Sequence, residues 1–281
     1  MQPNPATITT IRAPSPEERR RMARDQFAVL GDLLDERTFR HILALGIRDG
    51  WHCWEAGAGG DGVPSWLARQ VGPAGRVLAS DIDTSALEDV ENPAFEVRRH
   101  DLTVDPPPGA DFDLVHARLV LEHLGNPSAA LATAVTALRP GGWLLVESSD
   151  PMLQPLACPE QTGPSQALAN KLRSAVWSAL AARSDLSLGR TLPRRLRQAG
   201  LTEVEAEVGF TMGGPNARRL QATLVMRAGP ALIAAGSATA QEIDQHLADL
   251  DTGQLDIAAF PVVSAWGRKP ADQPPTRTEH R

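Results

Sequence analysis

The order of elements in the first half of the chain constrains its fold more than any other feature. Between residues 51 and 148, short apolar runs alternate with helical repeats, and the connections are short. Residues 51–56 (WHCWEA) read as a buried strand. A glycine-rich bend, GAGGDG at 57–62, leads into a helix with Val63, Trp66, Leu67 and Val71 on one face. Pro64 falls in the first turn of that helix, where a missing N–H costs nothing. Arg76–Ser80 is a second strand ending at Asp81-Ile82-Asp83, and Ser85 and Glu88 have the spacing of a capping box. Phe95–Arg99 alternates as a sheet-edge strand should, whereas Phe112–Ala117 is apolar enough to be central. Leu119–Leu124 reads as a short helix. Asn126-Pro127 opens the next one, which Pro140-Gly141-Gly142 stops before a fifth strand at Trp143–Ser148. This alternation predicts a parallel sheet with helices on both faces.

The flanking segments have a different texture. Residues 1–15 are polar and proline-rich and predict a mobile arm, and 16–50 predict one or two cap helices. The main domain would span 51–268, with helical insertions at 151–190 and 213–255 and a polar tail at 269–281. Within it, Val204, Ala206, Val208, Phe210 and Met212 alternate strictly, the mark of a half-exposed edge strand. Helices are expected at about 217–235 and 240–251, the second opened by the capping box Thr239-x-x-Glu242. Ile257–Trp266 supplies a last strand.

Composition narrows the function classes. At 281 residues and a formal net charge of −6, no strong electrostatic pull toward nucleic acid or anionic membrane is expected. The arginine clusters Arg19-Arg20-Arg21 and Arg194, Arg195, Arg197 read as solvated helix faces. The two cysteines, Cys53 and Cys158, lack metal-ligand spacing, so no metal site is expected and a reduced, cytoplasmic protein is. No signal peptide or membrane span is read. Tyrosine is absent from the chain, which excludes a phenolic acid or base.

The chemistry-bearing segment is Glu55-Ala-Gly57-Ala-Gly59-Gly-Asp61-Gly62 between a strand and a helix. Glycines let backbone approach a ligand, and the helix N-terminus beyond presents free N–H groups. Gly57-x-Gly59-x-x-Gly62 also spells a dinucleotide fingerprint. Three features argue against a dinucleotide. Glu55 suits a cofactor bearing an ammonium group and is awkward beside a pyrophosphate. Asp101, after the third strand, can accept from an adenine amino group. The chain also lacks a second βαβαβ half. Asp81 does not discriminate, because both cofactor classes offer ribose hydroxyls.

With these residues in view, the chain resembles the class I S-adenosylmethionine-dependent methyltransferases, especially bacterial small-molecule enzymes. Glu55-x-Gly57-x-Gly59-x-Asp61, Asp81, Asp101, Phe112–Arg118 and Leu138–Glu147 match the family's motifs over about residues 50–150. The resemblance implies a doubly wound α/β fold with a seven-stranded, mostly parallel sheet of order 3-2-1-4-5-7-6, strand 7 antiparallel. It implies S-adenosyl-L-methionine held by Glu55, Gly57, Ala58, Gly59, Asp81, Ile82, Asp101, Leu102 and Ala117. Asp61 departs from the pattern, standing where a glycine is usual; its side chain has the position to cap the next helix.

Methyl transfer needs an acceptor held in line with the methyl group, and no enzyme nucleophile. Arg118 is the candidate for gripping an acidic acceptor group. His116 and His123 are candidate bases, though both read more readily as hydrogen-bonded structure. Trp51, Trp54 and Trp66 read as core, and Trp177 as lining a pocket under the insertions. The expectation is transfer to an O, N or C atom of an apolar or amphipathic small molecule, as in secondary metabolism, with homodimerisation left open. The rivals are a non-methylating enzyme of the same fold, a nicotinamide-dependent oxidoreductase and a non-enzymatic binding module.

Overall fold

Seven strands form one sheet in a computed structural model that describes residues 16–87, 90 and 94–271. The strands are β1 (His52–Ala56), β2 (Arg76–Asp81), β3 (Glu96–Arg99), β4 (Phe112–Arg118), β5 (Leu138–Ser149), β6 (Thr202–Gly209) and β7 (Val262–Arg268). Their order is β3-β2-β1-β4-β5-β7-β6. β7 runs antiparallel to both of its neighbours, and the other pairings are parallel. This is the expected topology. The arm at 1–15, the tail beyond Ala271 and Glu88 lie outside the described residues.

Alternation along the buried strands divides the core between two faces. On one face Trp54, Leu78, Phe112 and Val115 pack against α3 (Pro127–Ala137) and α5 (Leu188–Gln198), through Leu131, Ala134, Leu192 and Leu196. On the other, Cys53, Val77, Leu114 and Leu145 meet Ile42 of α1 (Pro16–Ala44) and Val63, Leu67 and Val71 of α2 (Gly62–Val71). The N-terminal cap is a single long helix. A third apolar cluster joins Leu30 and Leu34 of α1 to α4 (Pro164–Ala181), α6 (Gly214–Ala234) and α7 (Ala240–Asp251). Its polar hub is Arg173, whose Nε donates to Gln221 at 2.7 Å and whose Nη2 donates to the Ala258 carbonyl at 3.0 Å. Burial lowers the Arg173 pKa to about 10. Trp177 is buried here, edge-on to Phe260.

Three local expectations need correction. Pro140-Gly141-Gly142 does not separate a helix from a strand, because β5 starts at Leu138 and runs through it. The pairing with β4 shifts register there, and a Cβ on Gly142 would fall 2.8 Å from the Phe112 carbonyl oxygen. Asp61 occupies the N-cap position of α2 without a side-chain capping bond. Residues 85–87 form a turn, with Leu87 N–H donating to the Thr84 carbonyl, and the capping box expected with Glu88 lies outside the described residues. The edge and closing strands are also displaced: β6 ends at Gly209, and β7 begins at Val262 after a lone bridge between Met212 and Ala258.

The capping box of α7 does form, since Thr239 Oγ1 accepts from Glu242 N–H and the Glu242 carboxylate accepts from Thr239 N–H. Thr239→Ala is expected to lower unfolding free energy by about 1 kcal/mol, read from urea melts with an unchanged m-value.

Candidate active site

The C-terminal ends of β1, β2 and β3 stand side by side and carry Glu55, Asp81 and the turn at Asp101. The glycine bend is tied to this edge, because Gly57 N–H and Ala58 N–H both donate to the Ser80 carbonyl, at 2.7 and 2.9 Å. Gly57 has φ +79, a left-handed conformation that favours glycine. Val120 lies above it and Phe27 of α1 lies above Gly59; an added Cβ would fall 2.2 and 2.4 Å from them. Trp54 Nε1 donates to Ser80 Oγ at 2.8 Å, locking β1 to β2 just beneath the bend.

The acids differ in state. Asp81 is half-buried and accepts from Asp83 N–H; burial raises its pKa against the pull of that bond. Asp101 Oδ1 accepts from Thr103 N–H and Thr103 Oγ1, and the Thr103 hydroxyl bond lowers its pKa. Ile82, between the two acids in sequence, is 61% exposed, whereas Leu102 and Ala117 are buried.

Glu55 is only 4% exposed, and its Oε2 lies 2.5 Å from His116 Nδ1. The other imidazole nitrogen lies 3.2 Å from Glu147 Oε2 on β5. Glu147 also accepts from Ser264 Oγ on β7, at 2.5 Å, and from Thr38 Oγ1 on α1. Burial penalises the imidazolium, but the charges and hydrogen bonds of Glu55 and Glu147 outweigh it and hold the His116 pKa at about 9. Burial alone would raise Glu147; the His116 bond and charge, Arg118 and Ser264 pull it down to about 2.

The structure places the three catalytic candidates as follows. His116 has no exposed surface and both nitrogens engaged, so it does not face an acceptor. Arg118 reaches α1, donating to Asp35 at 2.7 Å and to Thr38 Oγ1 at 2.9 Å. His123 is exposed and 2.9 Å from Ser184 Oγ. The sequence reading missed Asp35, Thr38 and Ser264, and it gave Glu147 no role. It also missed Glu122, which is buried and accepts from Ser148 Oγ and from the N–H and Oγ of Ser149. Among the described residues no cluster could hold a metal, and no helix is long and apolar enough to cross a membrane.

Comparison with known proteins decides the family. The family model described as "Methyltransferase domain" matches residues 22–206. The chain belongs to the methyltransferase-domain family. The chain is 33% identical to a 37.1 kDa protein of transposon TN4556 from Streptomyces fradiae, over 41% of its own length and 35% of that protein's. It is 34% identical to methyltransferase str2 of Strobilurus tenacellus, over 34% of each chain. It thus spans about a third of the length of these curated relatives. Among solved structures, phosphoethanolamine N-methyltransferase 2 of Haemonchus contortus superposes with a TM-score of 0.55 at 14% identity, covering 91% of this chain and 59% of that one. The YcgJ protein of Bacillus subtilis gives 0.51 at 15% identity, covering 83% and 97%. At such identities the likeness is one of fold, and the fold is that of the class I methyltransferases.

Proposed function

We propose that this methyltransferase transfers the methyl group of S-adenosyl-L-methionine to an O, N or C atom of a small-molecule acceptor. The observation that carries the reading is the alignment of Glu55, Asp81 and Asp101 at three adjacent strand ends around the pinned glycine bend. The donor set fits the group: a buried carboxylate for an ammonium, a half-buried acid for ribose hydroxyls and a turn acid for the adenine side. When bound, the sulfonium supplies an activated methyl group, so the protein need provide no nucleophile. Gly57, Ala58 and Gly59 would hold the amino-acid end, with Asp81, Ile82, Asp101 and Leu102 at the nucleoside and Ala117 beneath. Phe27, 41% exposed over Gly59, is the side chain that turns aside to admit a ligand.

A crevice of about 10 Å3, room for about one water, lies between α1, α6 and the approach to β7. Leu30, Leu34, Phe210, Leu220 and Phe260 line it, with Arg37 as its charged group. The net charge of −6 supports a small molecule over a nucleic acid as the acceptor. The free thiols of Cys53 and Cys158 support a reducing, cytoplasmic setting.

Titration calorimetry with S-adenosylmethionine, S-adenosylhomocysteine and NAD(H) tests the cofactor. The first two should bind and the nicotinamide should not; the reverse pattern removes the proposal. Methyl-labelled cofactor incubated with a panel of amphipathic acids, amines and phenols tests the reaction. Binding without label in any product points to a non-methylating enzyme of the same fold.

A further inference from the structure

Glu55 is placed to meet a cationic ligand, yet its nearest partner is itself a cation-forming group. We propose that Glu147 and His116 are positioning residues that keep Glu55 available as an anion for the ammonium end of the cofactor, through a buried carboxylate–imidazole–carboxylate relay. The inference rests on the cofactor reading above.

The geometry carries it. His116 sits between two carboxylates, 2.5 Å from Glu55 and 3.2 Å from Glu147, with no exposed surface. A doubly protonated imidazole donates to both, which a neutral ring cannot do. The relay then holds two negative charges and one positive, leaving one unit of negative charge beside the glycine bend. Without the Glu147 carboxylate, the imidazolium would neutralise Glu55 alone, and the attraction for an ammonium would vanish. Glu147 itself is fixed from two other directions, by Ser264 on β7 and Thr38 on α1. The other charged groups around the relay are Arg118, paired with Asp35 of α1, and His41 of α1. His41 is held neutral by burial, its pKa being lowered.

This arrangement has a signature that a merely structural role would lack. In the wild type the relay charge stays constant from pH 6 to 8. In Glu147→Gln, His116 has one carboxylate partner left and titrates near neutrality. Below its pKa, Glu55 and His116 cancel; above it, Glu55 is left uncompensated. Affinity for S-adenosylhomocysteine in E147Q is therefore expected to rise about tenfold between pH 6 and 8, relative to the wild type. Ionisation of the ligand's own amino group cancels in that ratio. 5′-Methylthioadenosine, which lacks the amino-acid end, should show no such rise.

Calorimetry on both proteins, with circular dichroism to confirm folding, gives distinct outcomes. Wild-type protein that binds neither nucleoside at any pH removes the cofactor reading, and the relay's purpose with it. Wild-type binding with a pH-flat E147Q ratio overturns the relay alone. Should E147Q fail to fold, imidazole nitrogen NMR on the wild type decides: His116 doubly protonated at pH 7.5 upholds the relay, and a neutral ring overturns it.

Discussion

Gly57→Ala is expected to destroy cofactor binding and to cost about 2–4 kcal/mol of stability. Two effects add. The backbone at Gly57 has φ +79, which a residue with a Cβ adopts only at a cost of about 1–2 kcal/mol. The new Cβ would also fall 2.2 Å from Val120 Cγ2, and Val120 is β-branched and partly buried. It follows Leu119, which itself has φ +57 and donates its N–H to the Glu147 carbonyl at 2.7 Å, so this loop has little room to yield. Gly46→Ala separates the two effects, because Gly46 has φ +87 with nothing within 4 Å of an added Cβ. Urea melts should show G46A losing only the backbone part. The double variant G57A/V120A should recover much of the remainder, and strict additivity of the two single effects would contradict the contact.

The second large effect is on pH dependence. A histidine whose folded pKa is raised from 6.5 to about 9 contributes stability that is complete below pH 6.5 and lost as pH rises through 9. For His116 that loss is about 2 kcal/mol between pH 6.5 and 8.5. His246 works in the opposite sense. Burial lowers its pKa to about 4, so the unfolded chain takes up a proton first as pH falls below 6.5. Lowering pH from 6.5 through 4 therefore favours unfolding. Glu147, pulled down to about 2, adds to the loss below pH 4.5. Unfolding free energy should peak near pH 6.5 and fall on both sides. His116→Asn should flatten the alkaline limb, and His246→Gln the upper part of the acid limb. A wild-type profile that is level from pH 6.5 to 8.5 would show that His116 does not carry the proton.

The sheet was readable because parallel strands buried on both faces leave apolar runs such as FDLVHA, broken by turns. Errors fell where a local signal has two physical meanings. Pro140-Gly141-Gly142 has the composition of a helix stop, but at Gly142 the glycine lets β5 approach the Phe112 carbonyl. The glycine bend and its acids were legible because motif and neighbours are close in sequence. Thr38 and Glu147 meet across 109 positions, and Asp35 and Arg118 across 83, so no pattern in the chain announces either contact. Glu147 did leave a trace, as a lone acid in the apolar strand WLLVES.

Helix α1 has partners far ahead of it in the chain. Arg40 binds Glu207, Asp32 binds Arg219, and Thr38 shares Glu147 with Ser264. During translation at about 5–20 residues per second, this helix leaves the ribosome roughly ten to forty seconds before Ser264 does. Ile42 finds β1 and α2 soon after they emerge, but Leu30 and Leu34 stay uncovered until α4, α6 and α7 follow, so nascent chains of this protein should depend on chaperones at α1 rather than at the sheet.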